Sequence, residues 1–134
     1  MRPLLLLGWI SLLAACQTLA DVRPGDGRKS TITGKSYDAI WAAAHTVAEE
    51  HFEIREQDQA RGIILAERTM SAWSSGAYVG IYITPTTMAP AHTIEVVRRR
   101  KVTTQAGEQD WEYKVLRDIY RRLGLPALDP RRDP

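Results

Sequence analysis

Apolar positions recur at three- and four-residue spacing from Tyr37 to Ala48, through Ile40, Trp41, Ala44 and Val47, while Asp38, Ala42, His45 and Glu49 fall on the other side. That period predicts an amphipathic helix over about Tyr37–His51, lying on a sheet. Ser36 supplies a hydroxyl N-cap, Asp38 places a negative charge in the first turn where the helix dipole favours it, and alanine dominates the interior. Past His51 the period falls to two. Phe52 and Ile54 alternate with Glu53 and Arg55, the pattern of a half-buried strand. The polar run 58–62 predicts a turn in which Gly62 supplies a positive φ. Ile63, Ile64, Leu65 and Ala66 begin a strand that extends toward Met70, and Ser74-Ser75-Gly76 mark the next turn. Ala77 to Thr84 follow as a strand with Val79, Ile81 and Ile83 on one face. Pro85 and Pro90 bound a loop before a last strand from His92 to Val102, with Ile94 and Val96 inward and Glu95 outward. Thr31-Ile32-Thr33 suggest a short first strand. Helical spacing returns from Trp111 to Leu123 through Val115, Leu116 and Ile119. Gly124-Leu125-Pro126 is a Schellman-type stop: glycine at C′, an apolar residue at C″, then proline.

Strands joined by short turns pair antiparallel, and two amphipathic helices need one apolar sheet face to cover. The expected fold is therefore α+β: a two-layer domain over residues 31–125, an antiparallel sheet of four to five strands with two helices packed on one face. Residues 16–30, with Asp21, Pro24, Gly25, Asp26, Gly27, Arg28 and Lys29, read as a flexible tether. Residues 126–134, proline-bearing and of mixed charge, read as a disordered tail.

The chain carries 18 Lys+Arg against 16 Asp+Glu, a near-neutral balance that argues against a general nucleic-acid binder. Cys16 is the only cysteine, so an intramolecular disulfide is impossible and stability must come from packing. The segment before it holds one charged residue, Arg2, and an apolar stretch from Leu4 to Leu13 that is too short for a membrane span of about 20 residues. This is the make-up of a secretory signal. Its end, Leu13-Ala14-Ala15-Cys16, resembles the lipobox of bacterial lipoproteins. The resemblance implies diacylglyceryl transfer to the Cys16 thiol, cleavage before Cys16, and acylation of the new α-amine. Residues 1–15 are then a signal peptide, and 119 residues of net charge +1 remain once Arg2 is lost. Three acyl chains exceed the two signals that stable anchoring requires. Gln17 departs from the aspartate that retains lipoproteins at the inner membrane, so the expected location is the outer membrane, facing the periplasm. The domain itself is similar to the helix-grip domains of small periplasmic lipoproteins, including those of the barrel-assembly component BamC. That similarity rests on residues 36–69: the Tyr37-Asp38-Ala39-Ile40-Trp41 helix start, Phe52-Glu53-Ile54, and a polar turn closing on Gly62-Ile63-Ile64. It brings no catalytic residues with it.

Candidate chemistry downstream is sparse. His45 and Glu49 share a helix face, but the i+4 partner is Glu where zinc helices carry a second His, and His51 lies about 120° away. A solvated face with a weak His–Glu pair is the expectation, with no metal and no cofactor. Arg98, Arg99, Arg100 and Lys101 put basic side chains on both faces of a strand end. Either they contact anionic lipid headgroups, lipopolysaccharide phosphates or an acidic partner, or they are the solvated charges of an edge strand that block aggregation. Tyr78 and Tyr82 flank Gly80 on the face opposite Val79, Ile81 and Ile83. With Trp73 they form either an interaction patch, where the glycine leaves room for a ligand or a partner backbone, or ordinary cross-strand neighbours. Ser71, Ser74 and Ser75 lack the glycine-flanked elbow of a serine nucleophile, and neither a P-loop nor a dinucleotide fingerprint is present. The expected role is non-enzymatic: an outer-membrane-anchored accessory or structural factor of the cell envelope that binds a protein partner. The alternative is a carrier that holds a small apolar ligand between sheet and helix.

Overall fold

In the computed structural model, residues 18–69, 76–86, 90–101 and 110–129 are described. The expected strand ends at Met70 and Val102, the Ser74-Ser75 turn and Trp73 lie outside them. A short 3₁₀ turn, Leu19–Asp21, precedes β1 (Arg28–Thr33), α1 (Tyr37–His51), β2 (Glu53–Asp58), β3 (Ile63–Arg68), β4 (Ala77–Pro85), β5 (Ala91–Arg100) and α2 (Trp111–Arg122). The five strands form one antiparallel sheet in the order β1-β5-β4-β3-β2. β2 to β5 are a meander. β1 joins the far edge beside β5, so α1 must carry the chain from one side of the sheet to the other. The protein is α+β, a five-stranded antiparallel sheet with two helices.

The local signals operate as their chemistry dictates. The Ser36 hydroxyl accepts from the Ala39 amide at 3.2 Å and starts α1. Asp110 does the same for α2, accepting from the Tyr113 amide at 3.0 Å. At the end of α2, Gly124 takes φ +66° and donates to the Arg121 carbonyl at 3.2 Å, while Leu125 donates to Tyr120 at 3.0 Å. Those two bonds define the Schellman stop. Gly62 closes the β2–β3 turn at φ +70°.

Both helices cover the same sheet face. Ile40, Ala44, Val47 and Ala48 of α1 meet Ile32, Ile64, Val79, Ile81, Ile83, Ile94 and Val96 of the sheet, with Val115, Leu116 and Ile119 of α2 alongside. Most of these are wholly buried, and at about 25 cal/mol per Å² of apolar surface removed from water they dominate stability. Alanines at 43, 44 and 48 let α1 approach closely.

Three expectations need correcting at the margins. Residues 18–27 are not a loose tether: they cross the uncovered sheet face as a strap, with Val22 buried, and β1 begins at Arg28 rather than Thr31. The start of the tail is not disordered. Leu128 packs into the main core and its carbonyl accepts from the Tyr113 hydroxyl at 3.3 Å; 130–134 lie outside the described residues. β5 is an edge strand only past Val96: β1 pairs with it from Arg28↔Val96 to Thr33↔Ala91, so the basic strand end projects beyond its neighbour on that side.

Candidate functional site

The open face of the sheet is built by side chains that alternate with the core: Ile63 and Leu65 on β3, Tyr78 and Tyr82 on β4, and Glu95 and Val97 on β5. Sequence alternation placed Tyr78, Tyr82 and Glu95 on this face correctly. It did not reveal that the face has an occupant. Val22 of the strap is 5% exposed and sits over Gly80, where an added Cβ would lie 2.5 Å from a Val22 methyl. The room that Gly80 leaves is therefore filled by the protein's own backbone segment.

Hydrogen bonds hold the strap. The Tyr82 hydroxyl donates to the Val22 carbonyl at 2.9 Å. One carboxylate oxygen of Glu95 accepts from the amides of Gly25 and Gly27 at 2.7 and 2.9 Å. Arg99 pairs with Asp26 at 2.7 Å. Glu95 is 6% exposed, so these two amide donors stand in for the water it has lost. Burial pushes the Tyr82 phenol above its ordinary value, and the nearby charges of Glu95 and Glu56 push it further. Of the expected patch, Tyr82 is buried and Tyr78 is half-buried beneath the Lys101 ammonium, 5.0 Å from the ring centre.

The basic cluster is largely consumed within the domain. Lys101 pairs with Glu67 at 2.9 Å, and Arg55 reaches the same carboxylate at 2.6 Å. Hydrogen bonds from Lys101 and then Arg55 hold Glu67 below the ordinary carboxylate range. The Arg98 amide points toward the β1 side past β1's end, and Glu112 accepts it at 3.0 Å. Arg98, Arg99 and Arg100 are all half-buried. The histidines are separate. His45 lies 3.4 Å from Glu49 and 2.6 Å from Gln57, whereas His51 bonds Asp118 at 2.9 Å across the α1–α2 interface. Among the described residues no group of three His, Cys, Asp or Glu is arranged to hold a metal.

One further surface was not foreseen. In β5 the even-numbered residues bond toward β1, so Ser30 and Ile32 pair inward and the main chains of Lys29, Thr31 and Thr33 face outward along the free edge. The Thr31 carbonyl accepts from the Tyr120 hydroxyl at 3.2 Å. Between this edge, Tyr120 and residues 125–128 lies an open groove of about 580 Å³.

No family model matches the chain, and no curated protein matches it.

Proposed function

We propose that this chain is a lipid-anchored envelope protein, held through Cys16 at the periplasmic side of the outer membrane, that binds a protein partner and catalyses nothing. The observation that carries the reading is the run Leu13-Ala14-Ala15-Cys16 behind an apolar segment too short to span a bilayer. No helix among the described residues is long and apolar enough to cross a membrane.

Tyr78, Tyr82 and Trp73 served as the expected contact patch; with Tyr82 under the strap, the free edge of β1 is the better place for a partner. An extended segment laid there pairs with the outward amides of Lys29, Thr31 and Thr33 and fills the groove beside Tyr120. The core between sheet and helices is filled by side chains such as Ile40, Ala44 and Val47 with no exposure, so an apolar ligand would have to open it.

Two substitutions test the reading. Cys16→Ser should move the protein from the membrane to the soluble fraction and abolish palmitate labelling; a wild-type protein that is itself unlabelled and soluble removes the anchor. Thr31→Pro deletes an outward amide that makes no bond to β5, so the fold should survive. Photo-crosslinking from position 29 in the envelope should then lose its partner. Equal capture by both proteins would move the partner off this edge.

A further inference from the structure

We infer that the open face of the sheet lies against the bilayer surface, with lipid headgroups as the partner of its exposed side chains. The inference rests on the lipid anchor at Cys16 and deepens it: an anchor alone says only that the domain is near a membrane, whereas the strap says which side is turned to it.

The first support is the length of chain between lipid and fold. A flexible connection over residues 17–30 would give the domain a root-mean-square reach of about 20 Å. Instead, Thr18 already makes ordered contacts: its amide donates to Asp21 at 2.6 Å and its hydroxyl donates to it at 3.1 Å. Two peptide units span at most about 7 Å, so Thr18 cannot leave the neighbourhood of the lipid-bearing residue. The turn Leu19–Asp21 lies against β3, and Val22 against Gly80 and Tyr82. The face that holds these residues is the one brought to the bilayer, with both helices on the far side.

A second support is the chemistry around Thr18. Leu19, Ile63, Leu65 and Tyr78 are half-buried and Ala20 is exposed; the strap carries the exposed Arg23 beside the exposed carboxylates of Asp21 and Asp26, and Arg61 is exposed in the turn before β3. Short aliphatic surface, a phenol and arginines at the margin suit the boundary between headgroups and water. The attachment is also firm: Glu95, Tyr82 and Arg99 each hold a different point of the strap.

The test couples the Cys16 thiol of the chain from residue 16 onward to a maleimide lipid in phosphatidylcholine–phosphatidylglycerol vesicles. Every contact described above lies within that chain. A fluorophore is attached through azidophenylalanine in place of Leu65, or of Ala42 on the exposed side of α1, and the vesicles carry headgroup spin labels. Strong quenching at 65 with weak quenching at 42 is expected; equal quenching at both positions overturns the inference. A flexible Gly/Ser spacer of about 15 residues between Gln17 and Thr18 identifies the cause. Lost quenching at 65 assigns the orientation to the short connection, and retained quenching assigns it to the face's own affinity for headgroups. Because the lipid is attached chemically, the outcome is independent of palmitate labelling in cells. The anchor can therefore fail while the orientation stands, or the reverse.

Discussion

Gly62 and Gly80 do different work with the same missing side chain. At Gly62 the backbone is left-handed, and an added Cβ would lie 2.1 Å from the Ile83 carbonyl oxygen, a backbone atom that cannot step aside. Gly62→Ala should therefore cost about 3 kcal/mol or more in chemical denaturation, combining φ strain with a main-chain clash. At Gly80 the atoms in the way belong to the Val22 and Tyr82 side chains. Gly80→Ala should cost less, about 1–2 kcal/mol, and its signature is local. Hydrogen exchange at the Gly25 and Gly27 amides should speed up as the strap lifts, and unchanged exchange would show that the strap does not depend on this gap. The sequence made Gly62 legible, because a glycine at the end of a polar run between two strands has one common use. Gly80 was legible only as an empty space, and nothing local says that Val22, 58 positions earlier, fills it.

At the scale of elements, α1 and α2 are clasped by Asp118, which is 4% exposed and bonded to His51, Arg117 and Arg121. Burial works to raise its carboxyl pKa, but the hydrogen bonds from His51 and Arg117 and the arginine charges outweigh it and hold the group below its ordinary value. A depressed folded-state value means the stabilisation is present above the unfolded value and is lost as pH falls through the folded one. Glu112 has the opposite sign. Its burial raises the carboxyl pKa, against the favourable bond from the Arg98 amide, so its charge costs stability above that value and the cost disappears on acidification. Two urea titrations separate them. Asp118→Asn should destabilise at pH 7 and flatten the loss of stability below about pH 4. Glu112→Gln keeps an acceptor for Arg98 and should be neutral or stabilising at pH 7; a large loss would mean that the charge itself holds the end of β5. Both carboxylates escaped the apolar-period reading because it counts the stripe and ignores polar residues on its border. Asp118 sits between Val115 and Ile119, and that position was the available signal.

For the whole molecule, the two ends of the domain close it on opposite faces. The strap covers the open side of the sheet, and residues 125–128 return over the helix side, where Leu128 is buried. Leu128→Ala should cost about 2 kcal/mol by thermal denaturation, near the low end for a buried leucine because the site is close to the surface and can relax. A loss indistinguishable from zero would return this segment to the category of tail. The closure also divides the surface between the two proposals. On those proposals the strap face would be turned to the membrane, while the β1 edge, at the side of the sheet, would stay open to a partner.

The sequence by itself determined the elements and their inward faces. The helical period of 37–51, the twofold period of 77–84, the Ser36 cap and the Gly124 stop each act over a few residues, and the structure reproduces them almost to the residue. Tertiary structure alone decided what those elements meet. Strand neighbours are joined by backbone hydrogen bonds that carry no side-chain signature, so the place of β1 beside β5 and its outward edge could not be read from the pattern. The same holds for the basic strand end and for 18–27. Their charge and their glycines predicted solvent, but Glu67, Glu112, Glu95 and Asp26 stood opposite them in the fold, and each supplied a partner that only long-range pairing could bring within reach.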